Sequence, residues 1–266
     1  MKELFGLAGQ KALVVGGGYG SGRVTAMLLA QAGAHVAVAD IDGERARSVA
    51  AEIGGHAIVG DVTTADGARA VVDEAHAVLG GLTRLANIVG LVKMGAFIDT
   101  DVAQWQAQLQ LNLFQQMMVC QAAGRHMLAE GGGAIAMVAS VSGFYGARNQ
   151  AAYGIAKAGV MSLARTLADE WGPHGIRVNT VAPDITATTR LLDGVPRPHE
   201  ETLAMFDAMA VGEGVPLRRF GRVHEIAGPL LFLLSDLSSY MTGQCLVVDG
   251  GTMVGFPHDT GGRSGA

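Results

Sequence analysis

A regular alternation of strand-like and helix-like segments is the feature of this sequence that most constrains its fold. A short apolar run, residues 11–15, is ended by a cluster of glycines and followed at once by a helical pattern over residues 23–30. Short apolar runs that glycines bound indicate buried strands. The alternation then continues through residues 34–39, 56–60, 65–79, 84–89, 101–129, 134–139, 152–172 and 177–182. Because repeated β-α-β units imply a parallel sheet with helices on both faces, the sequence predicts an α/β fold with a doubly wound parallel sheet and three layers, α/β/α.

The alternation stops at about residues 185–217, where the chain contains prolines and one short helical patch, residues 201–209. A long irregular insertion near the ends of the strands is typical of a substrate-binding loop or lid. The apolar residues of the patch either line a pocket or form the packed face of a helix. These residues are Leu203, Met205, Phe206 and Met209.

The sequence predicts a single domain. A last helix over residues 223–235 and a last strand over residues 245–248 follow the insertion, and the chain contains no linker, repeat or low-complexity tract. We therefore expect one domain over residues 1–255, which is a typical size for an α/β domain. The glycine-rich C-terminal tail, residues 256–266, is expected to be mobile or to pack on another subunit.

Composition and charge argue against several classes of function. Charged residues make up 16% of the chain, the formal net charge is −5, and no basic block is present, so we expect no nucleic-acid or membrane partner. The apolar runs are far shorter than the roughly 18 residues that suggest a membrane span, and the first residues lack a signal-peptide core. A cytoplasmic protein is therefore expected. Cys120 and Cys245 form no metal or redox motif and the histidines are scattered, so we expect no metal site.

The glycine cluster after the first strand has the features of an anion-binding turn. Gly16, Gly17, Gly18, Gly20 and Gly22 lead directly into a helical pattern. A helix N-terminus offers free N–H groups and a partial positive charge, and glycines leave room for a pyrophosphate group to approach the backbone. The alternative is an ordinary glycine-rich turn between a strand and a helix, since a glycine cluster alone is a weak signal.

Asp40 ends the second apolar run and lies 18 residues after Gly22. In a dinucleotide-binding fold, an acid at this position accepts hydrogen bonds from the adenosine ribose and repels the additional phosphate of NADP. The sequence therefore favours NAD, although Arg45 is near enough along the chain to keep NADP as an alternative. Asp40 could instead cap the helix that begins near Gly43.

Ser140, Tyr153 and Lys157 bring a hydroxyl, a phenol and an ammonium group into one short region of the sequence. If the region is helical, Tyr153 and Lys157 share one face, because they are four residues apart. A free tyrosine has a pKa of about 10, and a nearby ammonium group favours the phenolate, so we expect Lys157 to lower the pKa of Tyr153. Taken singly, Tyr153 could be a half-buried aromatic residue and Lys157 a solvated residue of a helix.

Several spaced motifs, taken together, resemble those of the short-chain dehydrogenase/reductase family over about residues 5–255. The matching positions are residues 15–22, Asp61-Val62, Asn87-Ile88-Val89-Gly90, Asn112, the set of Ser140, Tyr153 and Lys157, residues 177–179, residues 183–188 and Asp249-Gly250-Gly251. The family has a Rossmann-type fold and transfers a hydride between nicotinamide and an alcohol or carbonyl carbon. The resemblance therefore implies an NAD-dependent oxidoreductase for a small to medium, fairly apolar secondary alcohol or ketone. The alternatives are an NADP-dependent carbonyl reductase of the same family and a catalytically weak NAD-binding regulatory protein.

The resemblance also implies roles for individual residues. Tyr153 would transfer the proton as general acid and base, Lys157 would also bind the nicotinamide ribose, and Ser140 would hold the substrate oxygen. Asn112 would position a water molecule that connects Lys157 to solvent, unless it is a buried amide bonded to a neighbouring strand. The implied cofactor contacts are Gly16, Gly18, Tyr19, Gly20, Ser21, Gly22, Asp40, Ile41, Asp61, Val62, Asn87, Ile88, Val89, Gly90, Tyr153, Lys157, Pro183, Asp184, Ile185 and Thr188.

The sequence departs from the family pattern at four positions. Val15 replaces a threonine of the glycine turn. Ile88 and Val89 replace asparagine and alanine, and they are expected to crowd the site near the cofactor. Asp184 replaces a glycine and is expected to bring a negative charge close to the nicotinamide.

By resemblance, we expect the chain to assemble with copies of itself. The long helices predicted over residues 101–129 and 152–172 would form one interface, and the region of the last strand a second one. A homodimer or a homotetramer is therefore expected.

Overall fold

The computed structural model describes residues 2–195, 198–212 and 214–254, without the side chains of residues 2 and 3. The tail predicted over residues 256–266 lies outside these ranges. The strands are β1 (Lys11–Val15), β2 (His35–Asp40), β3 (His56–Val59), β4 (Arg84–Asn87), β5 (Gly133–Val138), β6 (Ile176–Pro183), β7 (Thr186–Ala187), β8 (Gly221–Arg222) and β9 (Cys245–Val248). The α-helices are α1 (Lys2–Phe5), α2 (Gly20–Gln31), α3 (Gly43–Ile53), α4 (Ala65–Leu79), α5 (Val102–Leu109), α6 (Gln115–Glu130), α7 (Ala151–Trp171), α8 (Thr189–Asp193), α9 (His199–Gly212) and α10 (Val223–Leu234).

The described residues form one seven-stranded parallel sheet with the order β3-β2-β1-β4-β5-β6-β9. Within the sheet, the chain runs from β1 through β2 to the edge strand β3 and then crosses back to β4, on the other side of β1. The last residues of the two central strands, Val15 and Asn87, are neighbours. In open parallel sheets, ligands bind at such a switch point, beyond the carboxyl ends of the strands. The predicted doubly wound sheet is confirmed.

Helices cover both faces of the sheet. Leu13 and Val15 of β1 belong to a buried core that the sheet shares with α4, α6 and α7. Ala12 and Val14 belong to a second core, shared with α2, α3 and α10. Since successive side chains of a strand point to opposite faces, these two cores lie on opposite sides of the sheet. The predicted three-layer arrangement follows from this division.

The long helix predicted over residues 101–129 is interrupted in the structure. A π-helical segment, Gln110–Phe114, joins α5 to α6, and it contains Asn112. A π-segment widens one turn by a single residue, and such turns are frequent at functional sites. The spacing of apolar residues in the sequence cannot reveal one wide turn, so the prediction of a continuous helix missed it.

The insertion at residues 185–217 contains α8 and α9. Most apolar residues of the predicted helical patch, which lies on α9, belong to a small hydrophobic core. The rings of Phe206 and Phe220 stack with their centroids 5.6 Å apart. Leu203 and Met205 pack against this cluster, whereas Met209 is 48% exposed. The packed-face interpretation therefore holds for the patch except at Met209.

Two kinds of feature are absent from the described ranges. None of the helices in them combines the length and the apolar character that a membrane span requires. The same residues contain no group of three or more His, Cys, Asp or Glu side chains that could hold a metal ion.

Candidate active site

The turn between β1 and α2 has glycines where side chains would not fit. A Cβ atom at Gly22 would lie 1.9 Å from the carbonyl oxygen of Gly16, and Gly16 itself has a left-handed φ of +79°. The N–H groups of Gly16 and Gly17 donate to the carbonyl of Ala39, which ties the turn to β2. Within the described structure, α2 begins at Gly20 with no side-chain cap and no acidic residue in its first turn. Its first N–H groups are therefore available to an anion, and the turn fits a pyrophosphate group.

Asp40, the last residue of β2, is held against this turn. Its Oδ2 accepts a hydrogen bond from the N–H of Gly18, and its Oδ1 accepts one from the N–H of Asp42, both at 3.0 Å. The side chain that caps α3 is that of Asp42, so the alternative interpretation of Asp40 as the cap is wrong. Arg45 pairs with Asp42 (Nε to Oδ2, 3.2 Å) and its Cζ lies 4.5 Å from the centroid of the Tyr19 ring. Asp40 is thus placed beside the turn, while Arg45 is engaged by its neighbours.

Ser140, Tyr153 and Lys157 meet at the carboxyl end of β5. Ser140 follows the strand, and its hydroxyl donates to the carbonyl of Pro183 at 3.5 Å. Lys157, on the second turn of α7, is 1% exposed, and its Nζ donates to the carbonyl of Val138 at 2.8 Å. The same Nζ lies 5.6 Å from the centroid of the half-buried Tyr153 ring. The three side chains that the sequence singled out therefore share one site.

Burial governs the ionisation of these groups. It raises the pKa of Tyr153, and a hydrogen bond with Ser140 acts in the opposite direction. Burial also lowers the pKa of Lys157 to about 7. We expected the Lys157 ammonium to lower the pKa of Tyr153, but the shift is in the opposite direction. The reason is that removal of the phenol from water disfavours its charged form.

Asn112 is fully buried in the π-segment, where its amide fixes the chain that follows β4. Its Nδ2 donates to the carbonyls of Leu91 and Gln108, and its Oδ1 accepts from the N–H of Leu91, all at 3.0 Å. A Cβ atom at Gly90 would lie 2.9 Å from both the Asn112 Oδ1 and the Lys157 Nζ. Asn112 thus borders the site and also acts as the buried amide of the alternative interpretation, although its bonds reach a loop rather than a strand.

A cluster of buried amides lies beneath the end of β4. The Nδ2 of Asn87 donates to the Oε1 of Gln115 at 3.0 Å, and the Nε2 of Gln115 donates to the carbonyl of Val89 at 3.1 Å. The Nε2 of Gln116 makes longer bonds, of 3.4 and 3.5 Å, to the carbonyls of Val89 and Asn87. All three amide side chains are 0% exposed. Asn87 is therefore engaged in the packing of β4 against α6.

Sequence reasoning did not single out Gln115 and Gln116. The available signal was their place in the chain, three and four residues after Asn112, in a segment whose other residues are mostly apolar. The expected crowding by Val89 has a counterpart in the structure, because a Cβ atom at Gly16 would lie 3.0 Å from its Cγ2. Ile88, the other departure at this strand end, packs against the core on the α2 side of the sheet.

Two further predicted cofactor contacts follow β3. Asp61 is exposed, and its Oδ1 accepts hydrogen bonds from the hydroxyl (2.7 Å) and the N–H (2.9 Å) of Thr63. These bonds lower the pKa of Asp61. Val62 is buried, whereas Ile41, which follows β2, is 70% exposed. These residues border the strand ends next to Asp40.

The loop after β6 connects the site to the insertion. Pro183 ends β6, and the N–H of Asp184 donates a hydrogen bond to the carbonyl of Val248 in β9, the strand paired with β6. Ile185 is 42% exposed, and the hydroxyl of Thr188 caps α8. The loop thus places Asp184 and Ile185 next to the carbonyl that Ser140 contacts.

A cavity of about 80 Å³ lies beside this loop, with Asp184, Ile185, Phe220 and Asp249 among its lining residues. Arg219 and Glu225 also line the cavity, and they form a bidentate ion pair with N–O distances of 2.7 and 2.5 Å. The hydrogen bonds from Arg219 lower the pKa of Glu225 to about 2. The lining includes neither Ser140 nor Tyr153, so this cavity adjoins the site rather than containing its reactive groups.

Comparisons with known proteins agree with this geometry. A family model described as Enoyl-(Acyl carrier protein) reductase matches residues 17–253. The crystal structure of a short-chain type dehydrogenase/reductase from Mycobacterium marinum superposes with a TM-score of 0.85 at 35% identity, over 95% of this chain and 99% of that one. The chain belongs to the short-chain dehydrogenase/reductase family.

Two curated members of the family illustrate its chemistry. The D-threitol dehydrogenase of Mycolicibacterium smegmatis is 33% identical over 93% of this chain and 94% of its own length. The NAD-dependent glycerol dehydrogenase of Listeria innocua is 33% identical over 93% of this chain and 95% of its own. The chain is accordingly an oxidoreductase that acts on CH–OH and carbonyl groups and uses a nicotinamide cofactor, NAD or NADP.

Proposed function

We propose that this short-chain dehydrogenase/reductase is NAD-dependent and interconverts a secondary alcohol and the corresponding ketone, with Tyr153 as the general acid and base. The observation that carries the proposal is the convergence of Ser140, Tyr153 and Lys157 at the carboxyl end of β5. The glycine turn and Asp40 also lie at the carboxyl ends of their strands, β1 and β2, on the same side of the parallel sheet. Proton-transfer groups and a dinucleotide cradle are thus within one cleft.

Each of the three side chains can perform a distinct part of the proton transfer. The Ser140 hydroxyl can hold the substrate oxygen next to the phenol, because it already interacts with Tyr153. Tyr153 takes the carbinol proton during oxidation and returns it during reduction. Lys157, fixed by the carbonyl of Val138, is placed next to the phenol, where its ammonium form would favour the phenolate. Asn112 holds the chain next to Lys157, and we propose that it also positions a water molecule for the proton's exit.

The glycine turn fits a dinucleotide, since the N–H groups of α2 are available and Gly22 admits no side chain. Asp40 would bind the adenosine ribose, Asp61 and Val62 would border the adenine, and Gly90 and Lys157 would lie next to the nicotinamide. The bound cofactor supplies the site that accepts or donates the hydride. NAD rather than NADP is supported by the Asp40 carboxylate, by the engagement of Arg45 with Asp42, and by the NAD-dependent glycerol dehydrogenase among the relatives.

We also propose that the protein forms a homodimer or a homotetramer. The outer faces of α6 and α7 carry exposed apolar side chains. Met117 on α6 is 44% exposed and Ile155 on α7 is 55% exposed, and Phe114, which directly precedes α6, is 41% exposed. Exposed apolar residues on adjacent helices are typical of subunit interfaces. The edge strand β9 also exposes an apolar residue, Val247, at 42%.

Steady-state assays at 340 nm test the proposed reaction. The purified protein is offered NAD or NADP with threitol, glycerol and simple secondary alcohols, and the reduced cofactors with the matching ketones. We expect turnover with NAD. Tyr153→Phe should lower kcat by about a thousandfold, because general acid–base catalysis contributes factors of roughly 10² to 10⁴. NADH binding, measured by fluorescence, should change little.

Tyr240→Phe is a matched control, because Tyr240 is fully exposed and removal of its hydroxyl should leave turnover intact. Undiminished activity of Tyr153→Phe would refute its assigned role. Tighter binding of NADPH than NADH would favour the alternative of an NADP-dependent carbonyl reductase. NAD binding without turnover of any alcohol or ketone would favour the regulatory alternative.

A further inference from the structure

The insertion after β6 returns across the sheet to the glycine turn. The hydroxyl of Tyr19, the residue before α2, donates a hydrogen bond to the carboxylate of Asp193, the last residue of α8. In the sheet, β4 and β5 lie between β1, which the turn follows, and β6, which leads to α8. The segment from β6 to Asp193 therefore passes over the carboxyl ends of β4 and β5, the two strands that Gly90 and Ser140 follow. These are the strand ends at which the cofactor and substrate are proposed to bind.

Both partners of this contact are oriented by their own neighbours. The guanidinium of Arg45 lies over the Tyr19 ring, 4.5 Å from its centroid, and Asp42 holds Arg45 by an ion pair. On the other side, the Oδ1 of Asp193 bonds the Nε2 of His199 at 3.0 Å. The carboxylate thus joins the start of α9 to the glycine turn. The Tyr19–Asp193 hydrogen bond therefore connects the glycine turn and α3 with α8 and α9.

The remaining contacts of α8 are weak, which makes this bond important for its position. The helix has five residues, and all of them are at least partly exposed. Leu192 packs against the small core of the insertion, but that core is separate from the two cores of the sheet. Among the hydrogen bonds and ion pairs of the described residues, the Tyr19–Asp193 bond is the one that joins α8 to the glycine turn. Segments with few buried contacts open readily, so α8 depends on this bond to remain over the cleft.

We propose that Tyr19 and Asp193 form a latch that keeps α8 closed over the bound dinucleotide and thereby sets the rate at which the cofactor leaves. The proposal rests on the proposed function, because it requires a dinucleotide at the glycine turn. Tyr19 and Asp193 are positioning residues here: they act through α8 and not on the reacting atoms. A dinucleotide beneath α8 cannot leave until the latch opens.

The latch is tested by the dissociation rate of NADH from the full-length protein. NADH fluorescence is followed after rapid mixing of the complex with excess NAD. Tyr19→Phe and Asp193→Ala should each accelerate release by about fivefold, the effect expected from the loss of one net hydrogen bond. Asp193→Asn, which keeps an oxygen acceptor, should have a smaller effect. Tyr240→Phe serves as the matched control and should release NADH at the wild-type rate.

A second measurement needs neither cofactor nor turnover. Hydrogen–deuterium exchange of the backbone at residues 188–195 should be faster in Tyr19→Phe than in the wild-type protein, while exchange in β5 and α7 remains unchanged. Faster exchange confined to α8 together with faster NADH release supports the latch. Wild-type rates for both quantities in Tyr19→Phe would refute it, and the proposed function would still stand. Tighter NADH binding by Asp193→Ala would also refute it, since it would mean that the carboxylate opposes the cofactor. A wild-type protein that binds neither NADH nor NADPH would refute both proposals.

Discussion

Single residues of the site show that its two titratable groups are both held towards their uncharged forms. Burial raises the pKa of the Tyr153 phenol and lowers the pKa of the Lys157 ammonium to about 7. The pairing of Tyr153 and Lys157 was evident in the sequence from their spacing, whereas the direction of the Tyr153 shift was not. Spacing reports which side chains are neighbours, but desolvation depends on the residues that pack around them.

The depressed pKa of Lys157 predicts how the stability of the folded protein varies with pH. Between pH 7 and the ordinary lysine value of 10.5, the unfolded chain binds more protons at this group than the folded protein does. The free energy of unfolding therefore increases with pH in this window, and the buried ammonium destabilises the fold most at pH 7 and below. Lys157→Met removes the charge and also the bond to Val138. The free energy of unfolding of the variant, relative to that of wild type, should be highest near pH 6.5 and should decrease towards pH 10.

Urea unfolding of the two proteins at pH 6.5, 8 and 9.5 measures this difference. Lys93→Met is the control, because it makes the same substitution at a lysine that is exposed instead of buried. If the difference between Lys157→Met and wild type is the same at all three values, the pKa of Lys157 is not depressed. Activity should be lost in Lys157→Met at every pH.

Secondary-structure elements were predictable where a local signal marks their ends. The bounds of β1, α4 and β9 agree with the sequence prediction to the residue. Thr64 and Gly80, for example, cap α4 at its two ends with a hydroxyl and a left-handed glycine. The π-segment at Gln110–Phe114 and the buried amides beneath β4 were not predictable. Asn87 and Gln115 are stabilised by partners more than 25 residues away along the chain, and the Asn112 amide of the π-segment bonds Leu91, 21 residues away. No local pattern records such distant contacts.

The amide cluster predicts unequal effects for two adjacent glutamines. Gln115 makes bonds of 3.0 and 3.1 Å, so Gln115→Leu leaves the Asn87 amide and the Val89 carbonyl without this partner. We expect the variant to lose about 2 kcal/mol of unfolding free energy. Gln116→Leu should cost less than about 1 kcal/mol, because its bonds are longer and its Oε1 is already without a partner among the described residues.

Urea titrations of both variants at one pH give the comparison, and each variant is the control for the other. The two substitutions place the same side chain at neighbouring, fully buried positions, so a difference between them reflects the hydrogen bonds. Equal losses would mean that burial of leucine at this place, and not the amide network, decides the outcome. Because Gln115 also fixes the Val89 carbonyl, its replacement should additionally weaken NADH binding.

The whole molecule carries information that its separate motifs do not. Sequence motifs placed the glycine turn, Asp40 and the reactive side chains at one edge of the sheet, because a parallel sheet brings the ends of its strands together. They did not predict the contact between Tyr19 and Asp193, which are 174 positions apart in the chain. Such a contact depends on the path of an irregular insertion, for which no periodicity exists. The helices α6 and α7 were predicted from the sequence. Which of their apolar residues are exposed was not predictable, because exposure depends on how the helices pack in the folded chain.

These exposed residues predict that the protein is an oligomer with α6 and α7 at a subunit interface. Sedimentation velocity should give a mass of at least twice the 27.4 kDa of the chain. Met117→Glu and Ile155→Glu should each shift the protein towards the monomer, because an interface buries a carboxylate only at a cost of several kcal/mol. Val78→Glu is the matched control: Val78 is 41% exposed on α4, outside this patch, and its replacement should leave the mass unchanged. A wild-type monomer would contradict the assembly altogether. An oligomer that withstands both Met117→Glu and Ile155→Glu would move the interface elsewhere, with the edge strand β9 as the next surface to test by Val247→Glu.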